Sequence, residues 1–95
     1  MNEYELMFIV RPEADSDAVT AVNEQVAGWI GAQGGEVLQT NVWGRRKLAF
    51  AIDKQTEGTY VLMTLRLAGL ALAEVERNIR LHEQVLRYMF VRQGE

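Results

Sequence analysis

The sequence predicts an α+β fold: a four-stranded antiparallel sheet with two helices packed on one of its faces. Apolar residues alternate in four separate stretches and recur at helical spacing in two others, in the order β-α-β-β-α-β. The two middle strands are separated only by a short polar turn, which makes them a hairpin. A chain of 95 residues matches one domain (residues 1–95) with one core, burying roughly 60–65% of the unfolded chain's surface.

The first strand is "YELMFIVRP", residues 4–12. Tyr4, Leu6, Phe8 and Val10 fall on one face, and Glu5, Met7, Ile9 and Arg11 on the other. Pro12, the only proline, ends it because proline has no N–H for the ladder. Residues 15–35 then form a helix whose stripe is Val19, Val22, Val26, Trp29 and Ile30, with Ala18 and Ala27 at its margins. Asp15 or Ser16 is expected to cap it, Asp17 suits the positive end of its dipole, and Gly34-Gly35 stops it.

A long extended stretch, 36–53, follows, with Gly44 inside it as the expected bulge or bend. "KQTEG", 54–58, is expected to be the turn, and "TYVLMTLRL", 59–67, the returning strand. Residues 70–81 predict a second helix facing inward through Leu72, Val75 and Ile79, and 84–92 a last strand. This order is the split β-α-β, or ferredoxin-like, arrangement. Right-handed crossovers place both helices on one face, the first and third strands at the centre, and the hairpin's first arm at an edge.

Composition closes off several function classes. There is no cysteine, hence no disulfide framework, thiolate nucleophile or cysteine zinc site, and His82 is the single histidine. No metal and no cofactor are expected. The apolar runs are far shorter than the ~18 residues of a membrane span, and the opening "MNEYELMF" is acidic where a leader would be basic. A soluble cytoplasmic domain is the expectation. Ser16 is the only serine and sits where a cap belongs, the glycines form no phosphate-binding loop, and Glu3 and Glu5 share a strand face without a base or nucleophile beside them. His82, just past the second helix, reads as a cap or surface residue.

The net charge of −3 is unevenly spread. Residues 1–41 hold one cation, Arg11, against seven anions, whereas residues 42–95 hold nine cations against six anions. Within "WGRRKLAFAI", 43–52, Arg45, Arg46 and Lys47 stand in a row beside Trp43. Guanidinium forks suit phosphate oxygens and an indole ring can stack on a base, so these are RNA-binding candidates, Trp43 as the stacking residue. The same charges would also serve as guards of an exposed strand edge. Arg80, Arg87 and Arg92 are expected to extend a basic stripe near the last strand. The sheet face without helices should carry Met7, Ile9, Tyr60, Leu62, Met89 and Val91, diluted by Glu5, Thr64, Arg66 and Arg87. An apolar patch rimmed by charge is a candidate partner surface.

At "WGRRKLAFAI" the sequence closely resembles the signature of the bacterial small-subunit ribosomal protein S-six family, through Gly44, Arg45, Arg46, Leu48, Ala49, Phe50 and Ile52. "YELMFIVRPEAD", "GTYVLMTLRL" and "RLHEQVLRYMFVR" resemble the family's matching parts in order and spacing. The resemblance implies a non-enzymatic structural protein of the ribosome. It implies binding to the central domain of small-subunit ribosomal RNA alongside ribosomal protein S-eighteen, with no membrane and no small-molecule substrate. Four positions depart from the pattern: Lys47, Phe50 for the usual tyrosine, Ala51 for a frequent proline, and Asp53 where basic or small polar residues are common. Two other functions share the architecture. One is a free-standing module that homodimerises through the open face and binds a small regulatory ligand. The other is an acylphosphatase-like enzyme, which "RPEADSD" disfavours because it lacks glycines and carries acids.

Overall fold

The structure is a computed structural model and describes residues 1–94. Its elements are β1 (Asn2–Val10), α1 (Ser16–Ala32), β2 (Glu36–Ile52), β3 (Gln55–Leu67), α2 (Leu72–Arg80) and β4 (Val85–Gln93). The strands form one antiparallel sheet in the order β2-β3-β1-β4, so β1 and β3 are central and β2 and β4 are the edges. This is the expected ferredoxin-like topology.

Register fixes which side chains share a face. Leu6 lies opposite Met63 and Phe90, and Phe8 opposite Val61 and Tyr88. These residues meet Val19, Val22, Val26 and Ile30 of α1 and Val75 and Ile79 of α2 in a single core. Eleven of the core side chains are fully buried, Phe8 the largest. Each contributes about 1.5–3 kcal/mol by leaving water, against about 0–1 kcal/mol for an exposed ion pair, so the apolar stripes set the fold and the surface charges do not.

The helix ends follow local chemistry. Asp15 caps α1, its Oδ1 accepting the Ala18 N–H at 2.8 Å. Beyond Gln33 the chain leaves the helix through Gly34, at φ +82°. The second helix begins two residues later than the predicted 70, because Gly69–Ala71 forms a 3₁₀ turn and no side chain caps the start of α2.

The hairpin turn is not at 54–58. It is the two-residue turn Asp53-Lys54, with both residues at positive φ (50° and 66°) and Ile52 paired to Gln55, the φ signature of a type I′ hairpin. Gly58 lies inside β3 and serves close packing instead. A Cβ there would come within 2.3 Å of Ile9 Cγ2 and 3.2 Å of the Val10 carbonyl oxygen.

Candidate nucleic-acid and protein interface

Both helices lie on one side of the sheet, leaving the other face open. Across β4, β1, β3 and β2 its rows read Arg87–Ile9–Tyr60–Gly44, then Met89–Met7–Leu62–Asn41, then Val91–Glu5–Thr64–Gln39. The centre of the face is apolar: Met89 is 59% and Val91 44% exposed, while Met7, Tyr60 and Leu62 are half-buried. Ile9 departs from the expected exposure. It is only 7% exposed, because Gly58 lets it pack against β3 and the end of the hairpin reaches over it.

That overhang creates a groove of about 250 Å³ on the open face. Met7, Ile9, Tyr60 and Met89 form its sheet side, and Leu48, Phe50 and Ile52 of β2 form its other wall. Arg87 lines it as well, its guanidinium 5.6 Å from the centre of the Phe50 ring. The course of β2 makes this possible. Pairing shifts between Val42 and Gly44 and again between Lys47 and Ile52. Gly44 sits at φ +92° with nothing within 4 Å of where a Cβ would be, so the site demands glycine for its backbone and not for space. Trp43 is the extra residue of the first shift and is 44% exposed. The bulge expected at Gly44 is there.

The structure separates the cations that the sequence sets side by side. Arg45 stands opposite Thr59 and donates from Nη2 to the Pro12 carbonyl oxygen at 2.6 Å, with Glu57 at 3.9 Å. It is tied to the loop after β1. Arg46 instead lies over the Trp43 ring, 5.3 Å from its centre. Among the described residues no carboxylate lies within ion-pair distance of Arg46, Lys47, Arg80 or Arg87. Arg80, at the end of α2, lines a recess with Val85 and Arg87 beside the free edge of β4. Arg92 does not extend this group. It pairs in register with Tyr4 on the helix side of the sheet and donates to Asn2 Oδ1 at 3.0 Å, five residues or roughly 17 Å along the strand from Arg87. The expected basic stripe is therefore interrupted.

Two anchors have no signature in the sequence. Arg11 pairs with Asp53, Nη2 to Oδ2 at 2.6 Å, and donates from Nε to the Glu83 carbonyl oxygen at 2.8 Å. His82 accepts the Gln84 N–H at Nδ1 (3.0 Å), which leaves its other ring nitrogen to donate to Gln25 Oε1 at 2.6 Å and tie the α2–β4 turn to α1. Among the described residues there is no cluster of three metal-ligating side chains, and no helix is long and apolar enough to cross a membrane.

The model of the family described as ribosomal protein S6 matches residues 3–92. The chain belongs to the ribosomal protein S6 family. It is 38% identical to small ribosomal subunit protein bS6 of Desulforamulus reducens over 95 residues, the whole of both chains. It is 41% identical to bS6 of Salinispora arenicola over 92 residues, 97% of this chain and 96% of that one. Among solved structures, the crystal structure of 30S ribosomal protein S6 from Thermotoga maritima superposes with a TM-score of 0.90 at 29% identity, covering 97% of this chain and 87% of that one. The C-terminal domain of MgtC from Mycobacterium tuberculosis also matches, with a TM-score of 0.65 at 15% identity, covering 100% of this chain and 95% of that one. That likeness concerns the fold alone.

As an S6-family protein the chain is a structural component of the small ribosomal subunit, located in the cytoplasm as part of the ribosome, and not an enzyme. Gly44 allows the bulge, Arg45 anchors the strand, Leu48, Phe50 and Ile52 wall the groove, and Arg46 remains available.

Proposed function

We propose that this S6-family chain, acting as one domain, seats ribosomal protein S-eighteen on its open sheet face. Together with that partner it binds the central domain of small-subunit ribosomal RNA. The observation that carries the reading is the grooved apolar centre of a sheet face that neither helix covers. An exposed Met89 and Val91 beside half-buried Met7, Tyr60 and Leu62 form the kind of surface that gains free energy when a partner removes it from water.

RNA is the partner of the cations at the groove's end of the molecule. Arg46 and Lys47 are exposed and lack carboxylate partners among the described residues, Trp43 offers a ring face, and Arg80 with Arg87 supplies a second positive spot. Few phosphates are within reach of so small a set, and the chain's net charge is −3. Its own RNA affinity should be weak, steep in salt and strongly raised by the partner. Measuring RNA binding by this chain, by S-eighteen and by the pair across a salt titration tests the reading. Tight binding by the pair alone is expected; tight, salt-insensitive binding by this chain alone would contradict it.

A further inference from the structure

From the contacts that converge on residues 11–13 we infer that Arg11 is a positioning residue. Its guanidinium latches the end of the β2–β3 hairpin and thereby sets the shape of the groove on the open face. This rests on the reading that the groove is part of the partner's seat. Residues 48–51, which supply most of the hairpin wall, have no register partner on β3, because pairing breaks after Lys47 and resumes only at Ile52. The sheet ladder therefore does not hold that wall. Its position depends on what fixes the tip.

The tip is fixed from outside the hairpin. Asp53, the first residue of the turn, meets Arg11 at 2.6 Å. Gln55, just past the turn, donates to Glu13 at 3.3 Å, and Arg45, ahead of the free segment, donates to the Pro12 carbonyl oxygen at 2.6 Å. All three ties land on consecutive residues of the loop after β1. Arg11 is itself immobilised on its other side. Its Nε donates to the Glu83 carbonyl oxygen at 2.8 Å and its backbone N–H to the Gln84 carbonyl oxygen at 2.9 Å. One side chain thus joins the β1–α1 loop, the α2–β4 turn and the hairpin tip, its planar fork held by a carbonyl outside the hairpin as well as by Asp53. Lysine would have to bring a single ammonium within reach of both acceptors at once, whereas Arg11 serves them from two separate nitrogens of one rigid fork. Asp53, which departs from the family pattern, thereby acquires a role unconnected with phosphate.

The test uses the full chain and S-eighteen. Arg11→Met, Asp53→Asn and the double variant are compared by methyl NMR of the free protein and by titration with S-eighteen, with Asp53→Glu as the conservative control. The Ile9, Leu48 and Ile52 methyls should shift and broaden in both single variants while Val26 and Ile79 in the core stay put. Affinity for S-eighteen should fall about two- to fivefold, the range of an exposed pair. The double variant should be no worse than the worse single, and Asp53→Glu should recover both readouts. Unchanged groove methyls would overturn the latch. Shifted groove methyls with full affinity for S-eighteen would uphold the latch and overturn the groove as the partner's seat.

Discussion

Arg45 and Arg46 are neighbours in the sequence with different surroundings in the structure, so equal substitutions should give unequal results. Methionine at either position keeps an apolar stem and removes the charge and every donor. At Arg45 it deletes a 2.6 Å charge-assisted hydrogen bond to the Pro12 carbonyl oxygen from a side chain that is 58% exposed. Such bonds are worth about 1.5–3 kcal/mol when shielded, and exposure reduces this one to about 1 kcal/mol. In a domain of this size that lowers Tm by roughly 4–8 °C. At Arg46 the loss is an exposed contact with the Trp43 ring at 5.3 Å, about 0.5 kcal/mol. The RNA effects should run the other way. If Arg46 neutralises one phosphate, Arg46→Met lowers the slope of log K against log salt by about 0.7–0.9, whereas Arg45→Met leaves the slope unchanged. The assays are thermal melts of the free protein and salt titrations of RNA binding by the complex with S-eighteen. The reasoning is refuted if Arg45→Met flattens the slope as much as Arg46→Met does and costs no stability.

Other substitutions probe the fold and the partner face. Gly58→Ala should destabilise by about 2–3 kcal/mol in urea melts, since its Cβ would lie 2.3 Å from Ile9 Cγ2 with the Val10 carbonyl 3.2 Å away; a loss below about 0.5 kcal/mol would show that Ile9 has room to retreat. Gly44→Ala meets no atom within 4 Å, so its cost should be the backbone strain of φ +92° alone, about 1–2 kcal/mol, and Gly44→Asn, better suited to positive φ, should cost less in the same melts. Met89→Asp places a carboxylate on the exposed centre of the open face. It should leave Tm nearly unchanged and weaken binding of S-eighteen at least tenfold by calorimetry, because a buried unpaired charge is costly.

Local patterns revealed most of the architecture. β1 and α1 were readable because their apolar residues are dense and keep one period throughout, and Asp15 carries its capping chemistry in its side chain. The turn differs from the expected 54–58 because a type I′ turn ordinarily carries glycine, whereas here Asp53-Lys54 fills it and the glycine, Gly58, lies downstream inside β3. The function of Gly58 is the approach of Ile9 from another strand, which no local pattern encodes. The same holds for the site. Alternation put Met7, Leu62, Met89 and Val91 on the open face, where they are, but it could not foresee that the hairpin's end would roof Ile9. Nor could it separate Arg45 from Arg46 by availability, since the acceptor for Arg45 is a carbonyl 33 residues away in sequence. Arg11 and Asp53 are 42 residues apart and meet only because three loops gather at one end of the sheet.

Hydroxyl-radical footprinting of the free chain, its complex with S-eighteen and the assembled small subunit tests the central claim most directly. Met89 and Tyr60 on the open face should become protected when S-eighteen binds. Trp43 should follow only when RNA is present, and Leu81, exposed at the end of α2, should react as before with the partner alone. Protection of Leu81 by S-eighteen with Met89 still fully reactive would contradict the account.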